Sequence, residues 1–214
     1  MSIFKKSIKV NSALQLVVCF VLLFIVPSLP KEFQFISYFI TLIALVLISA
    51  FLIEKHNKKY VRVALGIITI RIINHNFGFD NIVMVLDLLT VFLFIWIALL
   101  LIKQVMLKEA GIEMILEAIA GYLLLGIALT LVMGIILILA PNSFSLSGVF
   151  LESGPLQFST NSYYVFITYT TVGYGDIIPV SDIARAFAKL TALSGQLYIS
   201  VVIAILIGKY IQTK

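Results

Sequence analysis

The sequence predicts an all-α membrane protein, with six transmembrane helices and a short re-entrant helix and loop between the fifth and sixth. Three observations carry this. The 214-residue chain is 62% hydrophobic and 12% charged, with a mean hydropathy of +1.15, a balance that a soluble domain does not have. Six apolar runs approach the roughly 20 residues needed to cross a hydrocarbon core. Between the last two lies Thr170-Thr171-Val172-Gly173-Tyr174-Gly175-Asp176, in which glycine alternates with larger residues.

The apolar runs are Ala13–Leu29, Phe33–Ile53, Tyr60–Ile73, Ile82–Ile102, Ile112–Ala140 and Ile183–Ile211. The first follows Lys5, Lys6 and Lys9 as a secretory leader would. Its length, and the lack of a small-residue cleavage site near Pro27–Pro30, predict a retained helix. The third is short, and either ends at a thinned interface or is re-entrant. Lysine and arginine set the orientation. Lys5, Lys6 and Lys9, then Lys55, Lys58, Lys59 and Arg62, then Lys103 and Lys108, then Lys209 and Lys214 all fall on one side if six helices cross. That side is the cytoplasm, it holds both termini, and the glycine loop lies opposite. The agreement itself supports the third helix.

Other classes are disfavoured. The net charge of +5 sits almost wholly in short loops, so it reports orientation and not nucleic-acid binding. His56 and His75 show no ligand spacing, and no nucleophile or metal-enzyme constellation appears, so no enzyme is expected. Cys19, the single cysteine, sits inside an apolar run and reads as a small core residue.

Gly173 and Gly175 can take positive φ at no steric cost, so successive carbonyls can turn the same way instead of alternating as in a strand. Carbonyls facing one axis offer hard oxygen dipoles in place of the hydration shell of a monovalent cation. A lone Gly-x-Gly only marks a turn; here the context adds to it. Asn161 to Tyr169 reads as a short helix capped by Ser159, Thr160 or Asn161. Its C-terminal end would aim the negative pole of the helix dipole inward, where a cation would wait. Pro179 and Ser181 then close the loop, with Ser181 as a cap for the last helix. The segment resembles the pore signature of the potassium-channel superfamily, whose TVGYG loop is the established example of such a filter. The likeness is to six-helix prokaryotic-type channels with one pore loop and no charged voltage-sensor helix.

The resemblance implies a selectivity filter that binds K+. Thr171 would lend its carbonyl and hydroxyl to the innermost ion site, and Val172, Gly173 and Tyr174 their carbonyls. Gly175 and Asp176 would form the outer mouth. Thr170, Tyr163 and Tyr164 would support the filter, the two phenols either hydrogen-bonding the filter backbone of a neighbouring subunit or simply packing. Ile167 departs from relatives that place a glutamate there to pair with the aspartate. Arg185 matches a basic position of simple bacterial members. Gly195 stands where the inner helix commonly carries a bending glycine, close packing being the other reading. Ile199, Ile203 and Ile207 form a stripe that fits an inner gate closing by dewetting. At about 29 residues the last helix reaches roughly 44 Å, so it tilts or emerges into the cytoplasm.

One chain carries one filter strand and no internal repeat, so a closed oxygen cage calls for several copies, a homotetramer if the resemblance holds. The expected function is passive K+ conduction across the cell (plasma) membrane, with K+ as permeant ligand and no other cofactor. A potassium transporter subunit and a non-conducting channel subunit are the alternatives; the single intact motif speaks against both.

Residues 1–105 read as a four-helix peripheral unit and 106–214 as the pore domain. Ile82–Ile102 contains no lysine or arginine, so steep voltage gating is not expected. Asp87 and Arg71 have depths that fit an intramembrane ion pair, either static or a site of pH- or ion-dependent bias, the other reading of Asp87 being a protonated carboxyl that holds helices together. Glu109 to Glu117 reads either as a connector at the cytoplasmic interface or as a helix end in the headgroups, and Asn142 to Gly154 as an exposed turret. Gly121, Gly126 and Gly134 offer small surfaces for helix packing. The opening stimulus is left to the membrane helices, pH, lipid, ions or a separate regulatory subunit.

Overall fold

The computed structural model describes residues 13–52, 66, 80–107, 111–146, 148–150 and 158–212. These are mostly helical. An apolar helix, α1 (Ala13–Ser28), is followed by α2 (Lys31–Leu52), α3 (Asp80–Leu107), α4 (Ile112–Leu139), the short α5 (Phe158–Tyr169) and α6 (Asp182–Gln212). Three of the spans within them, Leu88–Leu107, Ile112–Leu139 and Asp182–Ile211, are long and apolar enough to cross a membrane. The predicted third helix, Tyr60–Ile73, lies outside the described residues apart from residue 66, which is helical. Arg71 also lies outside them, and of Asp87 only the backbone is described, so the expected ion pair falls outside as well.

Local chemistry explains the boundaries. In α1, Pro27 has no N–H to give and its ring crowds the preceding turn. The helix widens to a π turn over Val21–Ile25 and tightens to a 3₁₀ turn over Val26–Ser28 before it stops. Buried hydroxyls inside helices bond back to the carbonyl one turn earlier: Thr90 to Leu86 at 2.7 Å and Thr130 to Gly126 at 2.9 Å. Without such partners they would be costly in a lipid-immersed helix.

Helix α3 packs along α4 more extensively than any other pair among the described elements. One core joins Leu22 of α1, Leu45 of α2, Phe94 and Ile97 of α3, and Leu124 and Ile127 of α4. A second gathers Met133 of α4, Tyr164 and Tyr169 of α5, and Phe187 of α6 around Phe144. In lipid, apolar burial is not itself a driving force between helices, so close packing on small residues has to do that work. Gly126 seats the ring of Phe166, and Gly121 seats the hydroxyl end of Tyr198, which donates to the Ala118 carbonyl at 2.8 Å.

The mostly helical architecture agrees with the all-α expectation, and the loops between the helices add local detail. Beside the helices lies a small three-stranded antiparallel sheet in the order β2-β1-β3: β1 (Phe144–Leu146), β2 (Val149–Phe150) and β3 (Ile177–Pro179). These strands are too short for periodicity to show. The expected turret is therefore partly ordered into this sheet, with Ser143, Phe144 and Ser145 buried and Asn142, Leu146 and Gly148 exposed. Of the two readings of the segment that ends at Glu117, its described part fits the helix end, because α4 is already under way at Ile112 and Glu117 is buried within it.

Candidate functional site

The glycine loop is built on the end of α5. That helix begins at Phe158, so Ser159, Thr160 and Asn161 lie inside it and not at its cap. Thr170 still bonds one turn back, its N–H (2.9 Å) and its hydroxyl (2.6 Å) both donating to the Phe166 carbonyl, and the helix stops at Thr171, whose φ turns positive (64°). The next amides follow. Thr171 N–H donates to Thr168 O at 3.1 Å, and the N–H groups of Val172 and Gly173 donate to Ile167 O at 2.9 and 3.2 Å.

This capping fixes which way the carbonyls face. In a planar trans peptide the C=O points opposite to the following N–H. With the amides of Thr171, Val172 and Gly173 drawn to α5, the carbonyls of Thr170, Thr171 and Val172 point away from it. Every second residue then has positive φ: Thr171 (64°), Gly173 (57°) and Gly175 (76°). Reversing alternate φ values keeps carbonyls from swapping sides as they do in a strand. The glycines do this freely. Thr171 does not, since a β-branched residue at positive φ is an outlier costing about 1–3 kcal/mol, held here by the amide bonds on either side of it. Positive φ at the two glycines is expected from their residue type, whereas nothing local to Thr171, expected only to lend its oxygens, signals it. Residues 170–176 are exposed on the single chain.

The two tyrosines expected to support the loop make different contacts. Tyr163 donates from its hydroxyl to Asp176 Oδ2 at 2.7 Å, within the same chain. That bond is the main reason the Asp176 carboxyl is held below its ordinary range. It also gives Asp176 a partner where Ile167 supplies none. Tyr164 is buried and packs edge-on against Phe144, with ring centroids 5.1 Å apart.

Below the loop, α6 meets α5 at Gly195. A Cβ there would run into the backbone carbonyl of Tyr169, and α6 continues unbroken from Asp182 to Gln212. Three tyrosines that the sequence reading passed over sit beside this contact. Tyr122 stacks obliquely on Tyr169 with centroids 4.5 Å apart, and meets Tyr198 edge-on at 5.5 Å. They come from α4, α5 and α6, and only the fold brings them together. Ile199, Ile203 and Ile207 are exposed on α6 (40, 48 and 55%). Arg185 is exposed near the start of that helix, 3.7 Å from Asp182.

No match to the chain is found among curated proteins or among solved structures. Residues 127–212, which run from the middle of α4 through α5 and the glycine loop to the end of α6, match the family model described as an ion channel, and over that segment the chain is similar to ion channels.

Proposed function

We propose that the protein is a potassium-selective channel that conducts K+ passively across the cell membrane as a homotetramer. It is a multi-pass protein with both termini in the cytoplasm and no steep voltage gating. The observation that carries this reading is the backbone of Thr171–Gly175, with positive φ at alternate residues and its first amides tied back to α5. Such a loop turns carbonyl oxygens to one side, and four copies around an axis form stacked oxygen rings. A K+ ion entering them exchanges water oxygens for carbonyl oxygens of Thr171, Val172, Gly173 and Tyr174, with the Thr171 hydroxyl at the inner end. Gly175 and Asp176 shape the outer mouth.

The exposure of α6 supports the assembly. Only 22% of its apolar span is buried within one chain, against 61% for α4. Copies around a central axis would cover much of that face and leave the isoleucine stripe lining the inner pore. The charge distribution along the sequence supports the orientation.

The test is flux through purified protein in liposomes. K+ should leave down its gradient much faster than Na+, and Gly173→Ala should abolish the flux while the assembly remains intact by size-exclusion chromatography. Equal K+ and Na+ flux, or K+ selectivity that survives Gly173→Ala, would overturn the reading.

A further inference from the structure

We infer that Ser143 is a positioning residue for the outer limb of the loop, acting through a clasp with Ser181; this rests on the channel reading above. At its near end the loop is tied to α5 by the amides of Thr170 to Gly173. Its far end runs directly from Asp176 into β3, which lies at the edge of the sheet and pairs with β1 as Leu146↔Ile177, Ser145↔Ile178 and Phe144↔Pro179. Pro179 has no N–H to offer a ladder, and an edge strand tolerates that.

Ser143 continues this ladder from the end of α4. Its carbonyl accepts the N–H groups of Val180 (2.8 Å) and Ser181 (3.4 Å). Its hydroxyl donates to the Ala140 carbonyl at 2.6 Å and accepts from the Ser181 hydroxyl at 2.9 Å. Ser181 Oγ in turn accepts the Ala184 N–H at 3.2 Å, capping α6. One run of hydrogen bonds therefore joins the last turn of α4, the exit of the loop and the first turn of α6, and Ser143 is fully buried at its centre. Rings of carbonyls bind a stripped ion only if held within about 0.5 Å of the right geometry. With one end on α5 and the other on this clasp, the spacing of the loop is set by both. Loosening the clasp frees the outer limb without touching an ion-binding atom.

The experiment compares wild type, Ser143→Ala and Ser181→Thr in planar bilayers, recording K+ current under a sustained driving force. Ser143→Ala keeps the carbonyl bonds and the α6 cap and removes the hydroxyl contact. It should assemble as wild type and pass the same initial current, with a decay at least about fivefold faster, the size of effect expected for the bond to Ser181 alone. Ser181→Thr keeps a hydroxyl and should decay as wild type. The double variant S143C/S181C guards against misfolding, since one protein is read in two states: oxidised it should hold its current, reduced it should decay faster. Unchanged decay in an assembled Ser143→Ala, a double variant that forms no disulfide, or one whose decay ignores oxidation would each overturn the clasp. A wild type that passes no cation at all would overturn the channel reading and the clasp with it.

Discussion

Tyr163 and Asp176 are joined by a 2.7 Å hydrogen bond that ties the helix supporting the glycine loop to the residue that ends it. The bond favours the ionised carboxylate, so the Asp176 pKa lies below its ordinary 3.8. A carboxyl with a lowered pKa contributes above its ordinary value and loses that contribution as pH falls through the lowered one. The link should therefore persist until external pH drops below the usual carboxylate range. Tyr163→Phe removes the donor, and the acid-induced loss of current should move up toward pH 3.8. Titrating K+ current against external pH checks this; identical midpoints in the two proteins would count against it.

Gly195 and Gly208 share α6 and should respond oppositely to alanine. At Gly195 the new methyl meets the Tyr169 carbonyl, a backbone atom that cannot swing aside; at Gly208 nothing lies within 4 Å. Overpacking of this kind costs about 1–3 kcal/mol, while Gly208→Ala should gain about 0.5–1 kcal/mol of helix propensity. Thermal denaturation in detergent should show a lower midpoint for Gly195→Ala only. A Gly195→Ala protein of wild-type stability but with slowed opening would point to bending as the main role of this glycine.

The isoleucine stripe should act as a hydrophobic constriction once four copies surround the axis. Wetting one isoleucine side chain is worth ~2 kcal/mol, more than about tenfold in an open-to-closed ratio. Ile203→Asn should raise resting open probability by about that factor in single-channel records. An open probability unmoved by Ile203→Asn, and likewise by Ile199→Asn, would place the gate elsewhere.

Helix α3 runs on to Leu107 and so contains Lys103, but from Asp80 to Ile102 it has no basic residue. Channels with steep voltage dependence move about 3–4 charges per subunit. The conductance–voltage relation should instead be shallow, equivalent to less than about one elementary charge per channel. A slope of several charges would require a sensor outside the described residues.

Periodicity and composition alone made the apolar helices legible, because a helix in lipid must satisfy its own backbone and present apolar side chains over its whole length. The alternation of Gly173 and Gly175 was legible for a similar reason: their backbone freedom is a property of the residues themselves. The cap on α6 was also readable in Ser181, whose hydroxyl bonds within one turn. The sheet joining residues 144–146 to 177–179, the choice of Asp176 as partner for Tyr163, and the meeting of Gly195 with the Tyr169 carbonyl had no such local signature. Each depends on two segments far apart in the chain arriving at one place, and neither segment records the other's position. Thr171 is the clearest case. Its own preference is against positive φ, and it adopts that conformation because the end of α5 draws in the amides on either side of it.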